Sequence, residues 1–255
     1  MTTSSVLTET KGAVLLITIN RPDARNAVDK TVAAGMAEAL EKLDGDGALK
    51  VGVLTGAGKG FSAGMDLKAF VSGGMPVAGD RGFAGIVQRS CTKPLIAAVE
   101  GFALAGGLEI ALACDLIVAG KGARLGIPEV GVGLFAGAGA LLRLPRRVGL
   151  GNSMRLALTG QPIDAEEAHR IGLVDRVAEA GHALAVAIEL ADVIAKNAPL
   201  GLAASKQVLI EGFTKPHDDF WKWQQAILQK VFTSKDAIEG ATAFAQKRPP
   251  NWKGE

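Results

Sequence analysis

Residues 93–109, KPLIAAVEGFALAGGLE, place a buried strand, a glycine-rich turn and the start of a helix in direct succession. The run 95–99 is apolar and follows a Lys-Pro pair, which is typical of a fully buried strand. Small residues fill the turn over 101–107, and a helix is predicted over 108–113. Strands that alternate with helices in this way predict an α/β fold with much parallel pairing.

The same pattern extends outward from this segment. Further strands are predicted at 14–19, 51–54, 116–119 and 123–125, and a helix at 28–43 is expected to stop at Gly45. Beyond residue 183 the pattern is almost entirely helical, with helices predicted at 183–197, 199–212, 217–232 and 234–247 before an irregular tail at 248–255. We therefore predict an α/β core over residues 1–195 and a C-terminal helical region over 196–255.

Residues 71–85, VSGGMPVAGDRGFAG, show no clear period and are rich in glycine. We interpret this stretch as a mobile loop and a candidate lid, because long loops of this kind inside compact domains are usually functional.

Composition excludes several classes of protein. The 255 residues carry 28 Lys+Arg and 26 Asp+Glu, a net charge of +2 that offers no polyanion-binding surface, so nucleic acid is not expected as a partner. Two cysteines cannot form a disulfide framework and favour a reducing compartment. Residues 1–13 are polar and lack the features of a secretory signal, and the apolar stretch 95–120 contains three acids. We expect a cytoplasmic protein with no membrane partner.

Glycine is the one unusual count: 33 of 255 residues, or about 13%, against an average of about 7%. The excess indicates many tight turns or close approaches of the backbone.

Three generic motif matches fail on closer inspection. Residues 60–64 fit G-x-S-x-G, but five loop residues separate them from the preceding strand, and none of the three histidines stands out as a base. The phosphate-binding pattern around 58–59 lacks its first glycine and its hydroxyl residue. The G-x-G-x-x-A match at 131–136 follows a Pro-Glu pair instead of a strand.

A stronger signal comes from two glycine-rich turns considered together. Residues 61–67 (FSAGMDL) and 101–109 (GFALAGGLE) each follow a strand and bring small residues to a point where a helix can begin. Unpaired backbone N–H groups at two such turns can converge as an oxyanion hole. Ordinary tight turns between strands and helices are the alternative, and the sequence leaves it open.

Two glutamates accompany these turns. Glu109 lies in the first turn of an otherwise apolar helix, and Glu129 lies between apolar neighbours in GIPEV. Buried carboxylates are costly, and a pair in a dry pocket can act as general acid and base. Carboxylates that simply favour a helix N-terminus are the alternative. By contrast, we expect Arg143, Arg146 and Arg147 to form a solvated face.

These residues resemble the crotonase superfamily, and within it the enoyl-CoA hydratases. The resemblance is colinear over nearly the whole chain, and the matching segments are 19–22, 25–27, 61–67, 93–99, 101–109, 114–115, 126–129, 158–160, 165–174 and 244–253. It implies a spiral of repeated strand–strand–helix units with a C-terminal helical trimerisation region. A homotrimer or a dimer of trimers is therefore expected.

The resemblance also implies roles at the site. The substrate would be an acyl-CoA thioester, with no metal and no cofactor beyond the coenzyme A of the substrate. Glu109 and Glu129 match the catalytic glutamates, and Ala63 and Gly106 would donate the oxyanion-hole N–H groups. Residues expected to bind substrate or CoA are Arg25, Ala27, Ser62, Gly64, Asp66, Leu67, Leu104, Pro128 and Phe135, and the walls of the acyl pocket would include Phe70, Met75, Phe83 and Phe135.

The implied reaction is reversible addition of water across the 2,3 double bond of an enoyl-CoA to give a 3-hydroxyacyl-CoA, in fatty-acid or related acyl-CoA metabolism. A carnitinyl-CoA-type dehydratase or an enoyl-CoA isomerase on the same fold remains an alternative, as does a non-catalytic acyl-CoA-binding paralogue. Ala105, where a glycine is common, and Ala136, where a proline is common, depart from the family pattern.

Overall fold

The computed structural model describes residues 4–255 and confirms an α/β fold. Residues 1–3, which open both the predicted core and the polar N-terminal segment, lie outside the described residues.

A six-stranded sheet forms the centre of the molecule. Its strands lie in the order β1-β2-β3-β4-β6-β9; β1 is antiparallel to β2 and every other pair is parallel. The strand bounds are Val6–Lys11 for β1, Val14–Ile19 for β2, Val51–Gly56 for β3, Leu95–Val99 for β4, Leu116–Gly120 for β6 and Arg176–Ala178 for β9. The apolar runs that predicted β2, β3, β4 and β6 are buried on both faces, as parallel strands require.

A second, three-stranded sheet lies beside the first. It consists of β5 (Phe102–Leu104), β7 (Arg124–Gly126) and β8 (Ile163–Asp164), in the order β5-β7-β8. The sequence did not predict β5, because its three residues fall within the segment that we interpreted as a turn. This short strand extends the chain directly before the third helix, where Glu109 lies.

The helices pack on both faces of the main sheet or continue beyond it. Their bounds are Lys30–Gly45 for α1, Leu67–Val71 for α2, Gly106–Ala113 for α3, Ala140–Thr159 for α4, Ala165–Arg170 for α5, Ala183–Ala195 for α6, Pro199–Glu211 for α7, His217–Phe232 for α8 and Lys235–Ala245 for α9. The four C-terminal helices match their predictions to within about two residues. Helix α1 stops at Gly45 as predicted, and the Asp29 side chain caps its start by accepting the N–H groups of Thr31 and Val32.

Helix α6 covers one face of the sheet through small residues. Ala183, Ala187 and Ala191 recur every four residues and are fully buried against a layer of strand side chains that includes Val51 and Val53. Alanine at this spacing lets the helix axis approach the strands closely. By its packing, α6 belongs to the core; the division at residues 195 and 196 remains a prediction.

The segment predicted as a mobile loop is anchored at its centre. The Arg81 side chain is 2% exposed, its Nη2 lies 2.8 Å from Oε1 of Glu41 on α1, and its Nη1 donates to the Arg89 carbonyl at 3.2 Å. Leaving a buried guanidinium without these partners is costly, so this part of the chain is fastened to α1. Met75 and Val77, which precede the anchor, are exposed.

Polar contacts also fasten the C-terminal part of the chain. Lys206 on α7 donates to the Asp115 carboxylate at 2.7 Å, and that carboxylate accepts the Leu95 N–H at the start of β4. The tail after α9 has no regular structure, as predicted, but the Asp236 carboxylate accepts the N–H groups of Lys253 and Gly254. Across residues 4–255, no helix is both long enough and apolar enough to cross a membrane.

Candidate active site

The two glycine-rich turns meet backbone to backbone. A Cβ added at Gly107 would lie 2.1 Å from the Ser62 carbonyl oxygen, and one added at Gly64 would lie 2.7 Å from the Gly106 nitrogen. Gly64 also has φ +90°, which other residues rarely adopt. Part of the glycine excess therefore has a structural cause: side chains at these positions would force the turns apart.

Hydrogen bonds fix the relative position of the turns. The Ser62 N–H donates to the Phe102 carbonyl at 3.3 Å, and the Leu104 N–H donates to the Ser62 carbonyl at 3.1 Å, so Ser62 pairs with β5 as one rung of a parallel ladder. Ser62 itself is 0% exposed, and its hydroxyl donates to the Asn26 carbonyl at 2.8 Å. The Ser62 side chain therefore holds the turn from within, which does not favour a hydrolase nucleophile; its contact with the substrate stays a prediction.

Asn26 is a site-building residue that the motif analysis did not single out. Its side chain is buried, and Nδ2 donates to the carbonyls of Ala57 at 2.8 Å and Gly60 at 2.7 Å, while its backbone has φ 54°. Asparagine tolerates this left-handed conformation better than most residues. An Asn directly after a Pro-containing turn was the available sequence signal.

The expected oxyanion donors require a correction. The Ala63 N–H donates to the Arg25 carbonyl at 3.1 Å, and the Gly64 N–H donates to the Ser62 hydroxyl at 3.1 Å, so neither is free. Over residues 4–255, the N–H groups of Met65 and Gly106 find no acceptor. The structure therefore does not support Ala63 as a donor and favours Met65, two residues along the chain.

Strand geometry explains this shift by two residues. Met65 forms an isolated parallel bridge with Val28, in which the Val28 N–H donates to the Gly64 carbonyl and the Asp66 N–H donates to the Val28 carbonyl. The N–H of the residue between those two bonds points away from Val28. Gly64, adjacent to Met65, lies against the Gly106 nitrogen, so the two free N–H groups belong to neighbouring pieces of backbone.

The residues expected to bind CoA gather around the 61–67 turn with different roles. Asp66 caps α2 by accepting the N–H groups of Lys68 and Ala69 and pairs with Arg21 at 3.1 Å. The Ala69 N–H and the Arg21 guanidinium hold the pKa of Asp66 below its ordinary value. Asp66 thus supports the turn.

Two of the residues expected to bind CoA, Arg25 and Leu67, have side chains open to solvent. Arg25 is exposed, Leu67 is half exposed, and Ala27 presents its carbonyl to the Arg21 guanidinium at 2.6 Å. These residues line the outer side of the turn.

Glu109 is enclosed at the start of α3. Its side chain is 3% exposed, and Oε1 accepts the N–H groups of Ala138 at 2.7 Å and Ala140 at 3.1 Å. Burial raises the pKa of Glu109, the nearby negative charge of Glu129 adds to the rise, and the Ala140 and Ala138 N–H groups oppose it. The N-terminal end of α4 therefore holds the Glu109 carboxylate in place.

Glu129 has a different environment. It lies in the 3₁₀ turn Pro128–Val132, and its Oε2 is buried without a hydrogen-bond partner among the described residues. Burial raises the pKa of this carboxyl group as well. An unpaired buried carboxylate oxygen is costly, and at functional sites such a group usually serves a ligand or water.

The aromatic side chains expected to form the acyl pocket separate into two groups. The Phe83 ring lies against Gly106, since a Cβ there would be 2.7 Å from Phe83 Cζ. Phe135 is 71% exposed, and Phe70 and Met75 are also exposed. Leu104 ends β5 and Pro128 opens the Glu129 turn, and both are half-buried. Phe83 therefore adjoins the free Gly106 N–H, whereas Phe135 extends into solvent.

Ala105, one of the two departures from the family pattern, has a backbone conformation usual for glycine. Its φ is 52° and its ψ is −128°, directly before the Gly106 N–H. Alanine in such a region carries backbone strain of about 1–3 kcal/mol, and strain of this kind clusters at functional sites. Ala136, the other departure, is buried.

We predict that Glu129→Gln stabilises the fold and that the gain grows with pH. The folded state raises the pKa of Glu129. The carboxyl group therefore destabilises the fold increasingly as pH rises above the pKa that Glu129 has in the unfolded chain, about 4.3. The expected gain at neutral pH is on the order of 1 kcal/mol, or about 2–4 °C in Tm, because the half-exposed carboxyl is partly screened. Thermal melts between pH 4 and pH 8 measure it, with exposed Glu189→Gln as the control. Equal melts at every pH would contradict a desolvated Glu129.

Comparisons with known proteins find similar sequences and structures. Residues 9–255 match the family model described as enoyl-CoA hydratase/isomerase. A crystal structure of an enoyl-CoA hydratase from Mycobacterium tuberculosis H37Rv is 52% identical and superposes with a TM-score of 0.97, covering 99% of this chain and 100% of that one. Enoyl-CoA hydratase EchA19 of M. tuberculosis is 42% identical over 97% of this chain and 96% of its own. Carnitinyl-CoA dehydratase of Proteus mirabilis is 40% identical, over 96% and 97%.

Proposed function

The chain belongs to the enoyl-CoA hydratase/isomerase family, and we propose that it adds water reversibly across the 2,3 double bond of an enoyl-CoA thioester to give a 3-hydroxyacyl-CoA. It is an enzyme of the hydratase and dehydratase type on the crotonase fold, with an acyl-CoA as substrate. The preferred length of the substrate's acyl chain is a separate question, which an activity profile across enoyl-CoAs answers.

The observation that carries this proposal is the buried Oε2 of Glu129, which has no hydrogen-bond partner in residues 4–255 and lies near enough to the buried Glu109 for the charge of Glu129 to raise its pKa. A water molecule between two such groups would satisfy the free oxygen and be held for reaction. Two backbone N–H donors hold Glu109 and favour its ionised form, which suits a general base. Glu129 has support only from its own backbone, its Oε2 has no partner in residues 4–255, and it suits the general acid.

The proposed reaction proceeds in balanced steps. Glu109 accepts a proton from the water molecule as the water oxygen bonds to the β-carbon. The electron pair of the 2,3 double bond forms a double bond between the α-carbon and the thioester carbon, and the carbonyl electron pair moves to the thioester oxygen. Glu129 then donates a proton to the α-carbon, and the thioester carbonyl is restored. Exchange of one proton between the two glutamates through a new water returns the starting state.

The N–H groups of Met65 and Gly106 would bind the thioester oxygen while it carries negative charge. Backbone donors are fixed in position before the reaction and need no reorganisation, so each is worth roughly 3–4 kcal/mol of barrier lowering in comparable sites. No further cofactor enters this scheme, because the carboxylates and the N–H groups supply every proton transfer and charge contact that it contains.

We predict that Glu109→Gln and Glu129→Gln each lower kcat for crotonyl-CoA by about 10²- to 10⁴-fold, because each removes one proton-transfer group. Loss of the conjugated thioester absorbance measures turnover, and titration with butyryl-CoA measures binding, which we expect to stay nearly unchanged. The matched control is Glu189→Gln. Wild-type protein that hydrates neither crotonyl-CoA nor longer enoyl-CoAs would sink the hydratase proposal.

The donor assignment can be tested by replacing single backbone amides with esters. An α-hydroxy acid in place of Met65 deletes one N–H; we expect kcat to fall about 10²- to 10³-fold. The same change at Ala63 removes the hydrogen bond to the Arg25 carbonyl, with an expected cost of about 1 kcal/mol in stability and a small effect on kcat. Each ester also weakens the neighbouring carbonyl as a hydrogen-bond acceptor. Both carbonyls accept a backbone N–H, so the two variants are a matched pair. The opposite ranking would restore Ala63 as the donor.

Two alternatives remain close to this proposal. The carnitinyl-CoA dehydratase relatives suggest the reverse reaction on a substituted 3-hydroxyacyl-CoA, which the same two glutamates can perform. An isomerase is less well supported, because both glutamates are present, Glu109 being buried and Glu129 having a buried, unpaired Oε2 in the described chain. If the glutamate variants and the wild type bind thioesters equally but none turns them over, a non-catalytic acyl-CoA-binding role is favoured.

We also propose that the chain forms a homotrimer or a dimer of trimers through its C-terminal helices. Large apolar side chains on α7, α8 and α9 are exposed, more than a stable surface usually leaves open. They include Leu209, Ile210, Trp221, Phe232, Ile238 and Phe244.

The buried cysteines Cys91 and Cys114 are free, which supports the proposed cytoplasmic location.

We predict a solution mass of three or six times 26.2 kDa by light scattering at micromolar concentration. Phe232→Glu should shift this mass towards the monomer, since it places a charge in an apolar contact. Leu7→Glu, at an exposed position on β1, is the control and should leave the mass unchanged. A wild-type monomer would refute the assembly.

A further inference from the structure

Arg143 turns inward at the start of α4, contrary to the solvated face expected from the sequence. Its Nη2 donates to the Val87 carbonyl at 2.5 Å. Its Nη1 lies against Gly139, where an added Cβ would be 2.1 Å away. Gly139 has φ +106°, so glycine both permits the turn and leaves room for the guanidinium.

The two segments that Arg143 joins each build part of the active site. Val87 follows the turn that begins with Phe83, whose ring lies against Gly106. Gly139 lies between Ala138 and Ala140, whose N–H groups hold Glu109. One planar guanidinium therefore donates to the segment beside the oxyanion donor and packs against the loop that holds the proposed base.

The titratable groups around Arg143 lie on two elements. Glu109 is on α3, Cys114 ends the same helix with a thiol that burial keeps neutral, and Arg146 is on α4. Burial lowers the pKa of Arg143, and the Glu109 carboxylate opposes that shift. The pKa of Glu109 depends most on burial, and then on the two N–H groups and on Glu129. The positive charge of Arg143 has a smaller effect and lowers it.

We propose that Arg143 is a positioning residue for the hydration reaction, holding residues 83–87 and 138–140 in the arrangement that fixes the Glu109 carboxylate. The inference rests on the proposed function for its kinetic consequence, but the link between the two segments stands on geometry alone. Arg143 touches no reacting atom in this scheme and acts through Glu109 and the Phe83 wall.

The test compares Arg143→Met, Arg143→Lys and, as a control on the same helix, Arg146→Met. Arg146 is exposed and makes no hydrogen bond or ion pair within residues 4–255. Crotonyl-CoA hydration is followed from pH 5 to pH 9. Arg143→Met should lower kcat about 10- to 100-fold, with KM nearly unchanged. The acid limb of the kcat profile should move to higher pH, because Glu109 loses a stabilising positive charge.

Arg143→Lys keeps the charge but cannot bridge both segments. It should return the acid limb to its wild-type position while kcat stays reduced. Arg146→Met should match the wild type. Two results would overturn the positioning role. One is an unchanged pH profile in Arg143→Met. The other is a loss of kcat that is equal at every pH and the same in Arg143→Lys as in Arg143→Met.

A second measurement separates this inference from the proposed function. Amide hydrogen exchange at Ala138 and Ala140 is compared in the wild type and the three variants. Faster exchange in Arg143→Met, with Arg146→Met unchanged, supports the link even if the wild type hydrates no enoyl-CoA. Equal protection in all four proteins would overturn the link even if hydration is confirmed.

Discussion

The close approach of two turns without side chains between them is the constraint on which the rest of the site depends. Gly107 lies against the Ser62 carbonyl, and Gly64 lies against the Gly106 nitrogen. This contact is possible only because β5 pairs with Ser62 and because Asn26 holds the preceding loop. Once the backbones are this close, two N–H groups remain unpaired at the point where α3 begins, and Glu109 follows one turn later on the same helix.

The two carboxylates occupy environments that differ in kind. Glu109 is held by backbone donors from α4, whereas the Oε2 of Glu129 is buried and has no protein partner in the described chain. Burial raises the pKa of both carboxyl groups; two N–H groups from the start of α4 oppose the rise at Glu109, whereas only the backbone of Glu129 itself opposes it at Glu129. An environment that separates two like groups in this way allows one to act as base and the other as acid.

The sequence predicted much of the fold because the relevant signals are local. Continuous apolar runs marked the central strands, and helical periodicity marked the four C-terminal helices. Helix α4 was missed because Pro145 and the non-helical Gly149 interrupt its pattern. The error at Ala63 has a different origin: which N–H stays free depends on pairing with Val28, and the sequence alone does not show that register. Likewise, the spacing of Arg143 on a helix does not reveal which segments it faces.

Ala105 stands at the junction of the two turns in a strained backbone conformation. Its backbone is held where glycine would rest without strain, and its methyl group lies near Gly64, in contact range of the same junction. Backbone strain at Ala105 and the placement of the neighbouring Gly106 N–H therefore depend on the same residue, so a glycine there would relieve the strain and also free the junction with Gly64 to move.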